Sequence, residues 1–126
     1  YTRRFYVSRC TSHCLVFRLV ANQYKNAKVD LTATTATTLY TCPTATTAII
    51  KSILVSEDSG NADTITVTIT DSASAVFSVF NVKAVGANTT IELLTAPLVI
   101  EESEIVKVTA ATANRLHVVA SLLEVS

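Results

Sequence analysis

Glycine and proline are almost missing from this chain, with two of each in 126 residues. That excludes a glycine-rich phosphate loop and leaves the turns to Asn, Asp and Ser, as in SEDSGNAD (56–63) and DSAS (71–74). Tryptophan is absent, which removes the aromatic most useful for stacking on sugars. The three cysteines are an odd number, so at most one pair bridges within the chain; no disulfide framework is expected, and a reducing compartment fits better. No apolar run approaches the ~20 residues of a membrane helix. The first twenty residues are not expected to be a signal peptide, because Arg18 interrupts the apolar run at 15–20.

Charge is balanced overall but unevenly placed. Residues 1–20 carry Arg3, Arg4, Arg9 and Arg18 and no acid, whereas residues 21–126 hold six bases against ten acids. A basic arm (1–21) therefore precedes a mildly acidic domain (22–126), a distribution suited to an acidic face on a neighbouring subunit. Tyr1, Phe5 and Tyr6 interleave with the arginines in a pattern also used on nucleic acid, but the acidic body opposes a phosphate partner. Methionine is absent too, and Tyr1 is an unusual first residue. Proteolysis of a longer chain and initiation at the position of Val20 are the two readings this leaves open, and intact mass separates them.

What is abundant is β-branched sequence. LTATTATTLYTCPTATTAIIKSILV (31–55) is dense in threonine and isoleucine, whose branching at Cβ restricts χ1 and suits a pleated surface. Period-two patterning predicts strands at 47–55, 64–70, 75–82, 89–94, 97–100, 104–109 and 115–125. In 64–70 the four threonines take one face and Ile65, Val67 and Ile69 the other, so Val67 is assigned to the core. The strand at 75–82 should return as a hairpin after DSAS, with Phe77 and Val79 alternating against Val76, Ser78 and Phe80. At 47–55, Ile49, Ile53 and Val55 are placed on one face and Ile50 and Leu54 on the other, as in a central strand. About seven to eight short strands at spacings of roughly 8–12 residues predict one all-β domain, an antiparallel β-sandwich, Ig-like or jelly-roll-like, with an extended N-terminal arm.

Chemistry-bearing residues are sparse. Cys10, His13 and Cys14 form CTSHC, three soft-metal ligands within five residues, but no second knuckle accompanies them and ordinary thiols are expected. Cys42 precedes Pro43, ends a strand and reads as a small packing residue. His117 alternates with apolar neighbours and reads as structural. The acids at Glu57 and Asp58, and at Glu101, Glu102 and Glu104, lie in turn-like sequence, where solvated carboxylates are expected rather than a glycosidase pair. The sequence thus predicts no catalytic residues, no metal and no cofactor.

QYKNAKVDLT, LYTCPTATTAIIKSILVSEDSG (39–60), NTTIELLTAPLVIE (88–101) and NRLHVVASLLEVS give the chain, from Asn22 onward, a resemblance to small β-sandwich virion proteins of tailed bacteriophages. The resemblance implies a non-enzymatic structural protein of the virion, made in the host cytoplasm and placed on the capsid surface. There it acts as a decoration or cement protein that stabilises the assembled shell. Its partners are then the major capsid protein or other virion subunits, with homo-oligomeric or lattice contacts and no membrane. The arm residues Arg3, Arg4, Phe5, Tyr6 and Arg9 are the expected partner-binding set. A neck, tail or fibre component and an Ig-like carbohydrate-binding module are the alternatives.

Overall fold

The computed structural model describes residues 22–126. Nine strands form two antiparallel sheets: β1 (Asn22–Asp30), β2 (Thr37–Thr41), β3 (Thr47–Glu57), β4 (Asp63–Thr70), β5 (Val76–Val85), β6 (Thr90–Glu92), β7 (Leu98–Ile100), β8 (Ile105–Ala110) and β9 (Leu116–Val125). Sheet A runs β1-β9-β3, with β6 and β7 sharing the last edge; sheet B runs β2-β8-β4-β5. Four antiparallel pairs (β1 with β9, β2 with β8, β3 with β6 and β7, β4 with β5) nest around the β4–β5 turn and alternate between the sheets. That nesting is a jelly roll, and it decides between the two sandwich types the pattern allowed.

The core is aliphatic. Ile50, Ile53, Val55, Leu116, Val118 and Leu122 from sheet A meet Ile65, Val67, Val106 and Val108 from sheet B, all essentially without solvent exposure. The threonine face of β4 points outward and is half-buried, while Ile65 and Val67 are fully inside, as the alternation requires. Scarce glycine is replaced as expected: Ser74, Asn88, Ser103 and Asn114 take positive φ. In the β4–β5 turn the Asp71 carboxylate accepts the amides of Ala73 and Ala75, both at 2.9 Å, which fixes the hairpin.

Three expectations fail for local reasons. β1 escapes the sequence pattern because NQYKNAKVD half-buries only Ala27 and Val29, as an edge strand can. In β3 a bulge at Lys51 shifts the register between Ile50 and Ser52, so Ala48 and Ile50 before it and Ile53 and Val55 after it all point inward, and Ile49 points outward. On the opposite edge of β3, in the gap between its pairings with β7 and β6, the backbone is held by Glu92, whose carboxylate accepts the Ile53 amide at 2.8 Å and the Leu94 amide at 3.1 Å. In β5, irregularities opposite Thr66 and between Val67 and Thr68 break the predicted alternation.

Candidate interaction surfaces

Between the sheets at the β1–β2 side lies a polar bridge. Tyr40 on β2 donates its hydroxyl to Glu124 Oε2 on β9 at 2.5 Å, and Lys25 on β1 pairs with Glu124 Oε1 at 3.1 Å. The Tyr40 bond, opposed by burial and helped by Lys25, keeps the Glu124 carboxyl below its usual range. Burial and the same bond raise the Tyr40 phenol, which stays a donor. Cys42 sits beside them, buried, its thiol donated to the Thr46 carbonyl at 3.3 Å, and burial pushes that thiol up. This assigns Cys42 to packing, as its sequence context indicates, and makes it a poor nucleophile. Removing the phenol oxygen with Tyr40→Phe is expected to lower stability by about 1.5 kcal/mol or more, read from urea unfolding, because a hydrogen bond to a charged acceptor is lost in a nearly dry place.

Glu57 corrects the reading of the acids as solvated turn residues. Its carboxylate is 1% exposed at the inner end of β3 and accepts the Ser59 amide at 2.8 Å, the Ser59 hydroxyl, the Gly60 amide at 3.2 Å and the Asn88 amide at 2.9 Å. Burial alone would raise its pKa, but these donors together bring it down to about 2. Glu57 therefore clamps the β3–β4 loop to the β5–β6 loop, a structural role. Its neighbour Asp58 and the acids Glu101 and Glu102 do face solvent. His117 has partners that sequence reading missed: Nδ1 lies 3.5 Å from Asp30 and Nε2 3.3 Å from Asp58, all three at the surface. Among the described residues, no three His, Cys, Asp or Glu side chains gather as a metal site. Cys10, His13 and Cys14, and the arm set Arg3, Arg4, Phe5, Tyr6 and Arg9, lie outside the described residues.

The exposed large apolar side chains fall in two places. Val76, Phe77 and Val82, each more than half exposed, lie on β5, the free edge of sheet B. Val82 also holds φ 51°, a costly backbone for a β-branched residue, with its amide donated to Thr66 Oγ1 at 3.1 Å. Tyr24, Val99, Leu54 and Val119 belong to the outer face of sheet A. There the register aligns Tyr24, Leu123, Ile49 and Val99 in one row across four strands. A second row joins Lys28, Val119, Leu54 and Glu92. The outer face of sheet B differs: Thr38, Lys107, Thr68 and Ser78 form one of its rows. The sequence signal for both apolar places was legible only as hydrophobicity on both parities, VFSVF in β5 and AIIKSILV in β3, which reads equally as full burial.

No protein-family model and no curated protein matches this chain. A solved structure does match it: a protein of Bacillus endospore appendages, described as a family of disulfide-linked pili, with TM-score 0.53 and 13% sequence identity over 97% of this chain and 98% of that one. At that identity the likeness speaks for the fold, and it is to an appendage protein rather than a virion protein.

Proposed function

We propose that this protein is a non-enzymatic structural subunit of a repeating, surface-assembled structure, joined copy to copy. The observation that carries the reading is the β5 edge, where Val76, Phe77 and Val82 stand exposed beside unpaired backbone. Soluble monomers blunt such an edge with charge or cover it, since it templates strand addition. The likeness in fold to an appendage protein supports a subunit of this kind. The basic arm supplies a second contact, with Arg3, Arg4 and Arg9 meeting acidic surface on a neighbour and Phe5 and Tyr6 packing beside them. If subunits are linked by disulfides, as in that appendage, Cys10 and Cys14 are the thiols for it, because Cys42 is buried. An oxidising setting then replaces the reducing one that cysteine count alone favoured.

Concentrated protein should form ordered assemblies visible by negative-stain microscopy. Phe77→Lys on β5 should abolish them while the melting temperature stays within a few degrees of the parent, because Phe77 is largely exposed already. Replacing Arg3, Arg4 and Arg9 together should weaken them in the same assay. Wild-type protein that stays monomeric at every concentration would defeat the reading.

The resemblance to tailed-phage virion proteins supports a second setting for the same kind of subunit, as a capsid decoration protein bound to the major capsid protein. Assembly of the protein alone favours the first setting. Binding to expanded capsid shells at a copy number near that of the shell subunit favours the second.

A further inference from the structure

The outer face of sheet A is self-complementary about one particular axis. Consider a two-fold axis in the plane between two facing copies, parallel to the strands and passing between β9 and β3. It leaves each residue row at its own height and reverses its order. The row Tyr24–Leu123–Ile49–Val99 then meets itself reversed, Tyr24 over Val99 and Leu123 over Ile49 of the second copy. The row Lys28–Val119–Leu54–Glu92 behaves likewise: Val119 lies over Leu54, and Lys28 over Glu92, whose carboxylate accepts the Ile53 and Leu94 amides through Oε2 and has Oε1 left for the cation, at both ends. Between these rows lie the short side chains of Asn26, Ser121 and Ser52 and, at the bulge, the exposed Lys51, whose flexible stem has to turn aside for two sheets to approach.

Size agrees with this. Four strands at about 4.8 Å spacing and ten residues at about 3.4 Å rise give a face of roughly 20 by 34 Å, close to the ~800 Å² per partner of a standard stable interface. Aligned sheet packing turns the strands by about 30°, which offsets the outermost residues by about one position and keeps the central apolar contacts.

We propose that the outer face of sheet A is an isologous interface on which a second copy of this chain packs sheet to sheet, with Tyr24 against Val99 and Lys28 against Glu92. The inference rests on the reading of the protein as a self-assembling subunit and adds a face distinct from the β5 edge. A closed two-fold contact at this face combined with an open contact at β5 gives paired rather than single strands of subunits.

Thiol cross-linking tests it in the full chain carrying Cys10→Ser and Cys14→Ser. Tyr24 and Val99 are three strands apart within one molecule, about 14 Å, whereas sheets packed face to face lie about 10 Å apart, too far for a direct disulfide but within reach of a short bismaleimide. Tyr24→Cys with Val99→Cys should therefore give, with that reagent, a closed covalent dimer on denaturing gels, and neither single variant should. Separately, Val119→Lys should weaken dimerisation at least tenfold by sedimentation equilibrium without moving the melting temperature, since Val119 is already partly exposed. A ladder of larger species from the double variant, or association indifferent to Val119→Lys, would overturn the two-fold face. Association that persists without any trapped dimer would overturn the face and leave the subunit reading standing, whereas no association even of the parent chain, with Cys10 and Cys14 in place, would remove both.

Discussion

A chain carrying Val67→Asp is expected to come out insoluble or to show no cooperative melting. Val67 is fully buried on β4, paired to Val108 on one side and Phe80 on the other, with Ile65 fully buried and Ile69 half-buried along the same face. None of these side chains offers a hydrogen bond. An ionised carboxylate there loses its hydration without a partner, and a protonated one still leaves two oxygens unsatisfied. The cost is at least about 4 kcal/mol, against a total stability of roughly 5–15 kcal/mol for a domain. Val67→Ala is the control: it should cost about 2 kcal/mol and still fold, because it only removes packed methyl groups. Soluble Val67→Asp protein that melts cooperatively would show that this face is not the core.

The second large effect is expected at Glu57. Glu57→Gln should lower the melting temperature by on the order of 10 °C. The amide can accept through one oxygen only, so its NH₂ group is turned towards donors that the carboxylate satisfied: the amides of Ser59, Gly60 and Asn88 and the Ser59 hydroxyl. The same clamp makes the fold acid-sensitive in a defined window. The folded pKa of about 2 lies below the ordinary 4.5, so the carboxylate's contribution is present above pH 4.5 and is lost as pH falls towards 2. Melting curves between pH 6 and 2 should show this loss in the parent and a much flatter profile below pH 4.5 in Glu57→Gln. Parallel profiles would remove Glu57 from the acid response.

Glu57 also shows why some of the molecule was hidden. SEDSGNAD reads as a solvated turn, and the residues themselves are those of a turn; what buries Glu57 is Asn88, thirty-one positions later, closing over it. Glu92, Tyr40 and His117 have the same character. Glu92 reaches back 39 positions to the Ile53 amide and Tyr40 reaches forward 84 to Glu124, while His117 sits between Asp30 and Asp58. Side-chain partners at such separations leave no local spacing to read. The two interaction surfaces were hidden for a related reason. Hydrophobicity on both parities marks a strand that is covered on both sides, and a free edge or an uncovered outer face carries the same marks until the number of layers is known.

By itself the sequence determined what is decided within a few residues. Threonine and isoleucine at Cβ-branched positions made strands, alternation put Ile65 and Val67 inside, and Asp71, Ser74, Asn88 and Asn114 made turns in place of glycine. Tertiary structure alone decided the jelly-roll pairing, the bulge at Lys51 that turns Ile49 outward, and the rows that bring Tyr24 and Val99 onto one face. The physical reason is that strand formation is a local preference of φ, ψ and χ1, whereas pairing and burial are set by which distant strands share one core.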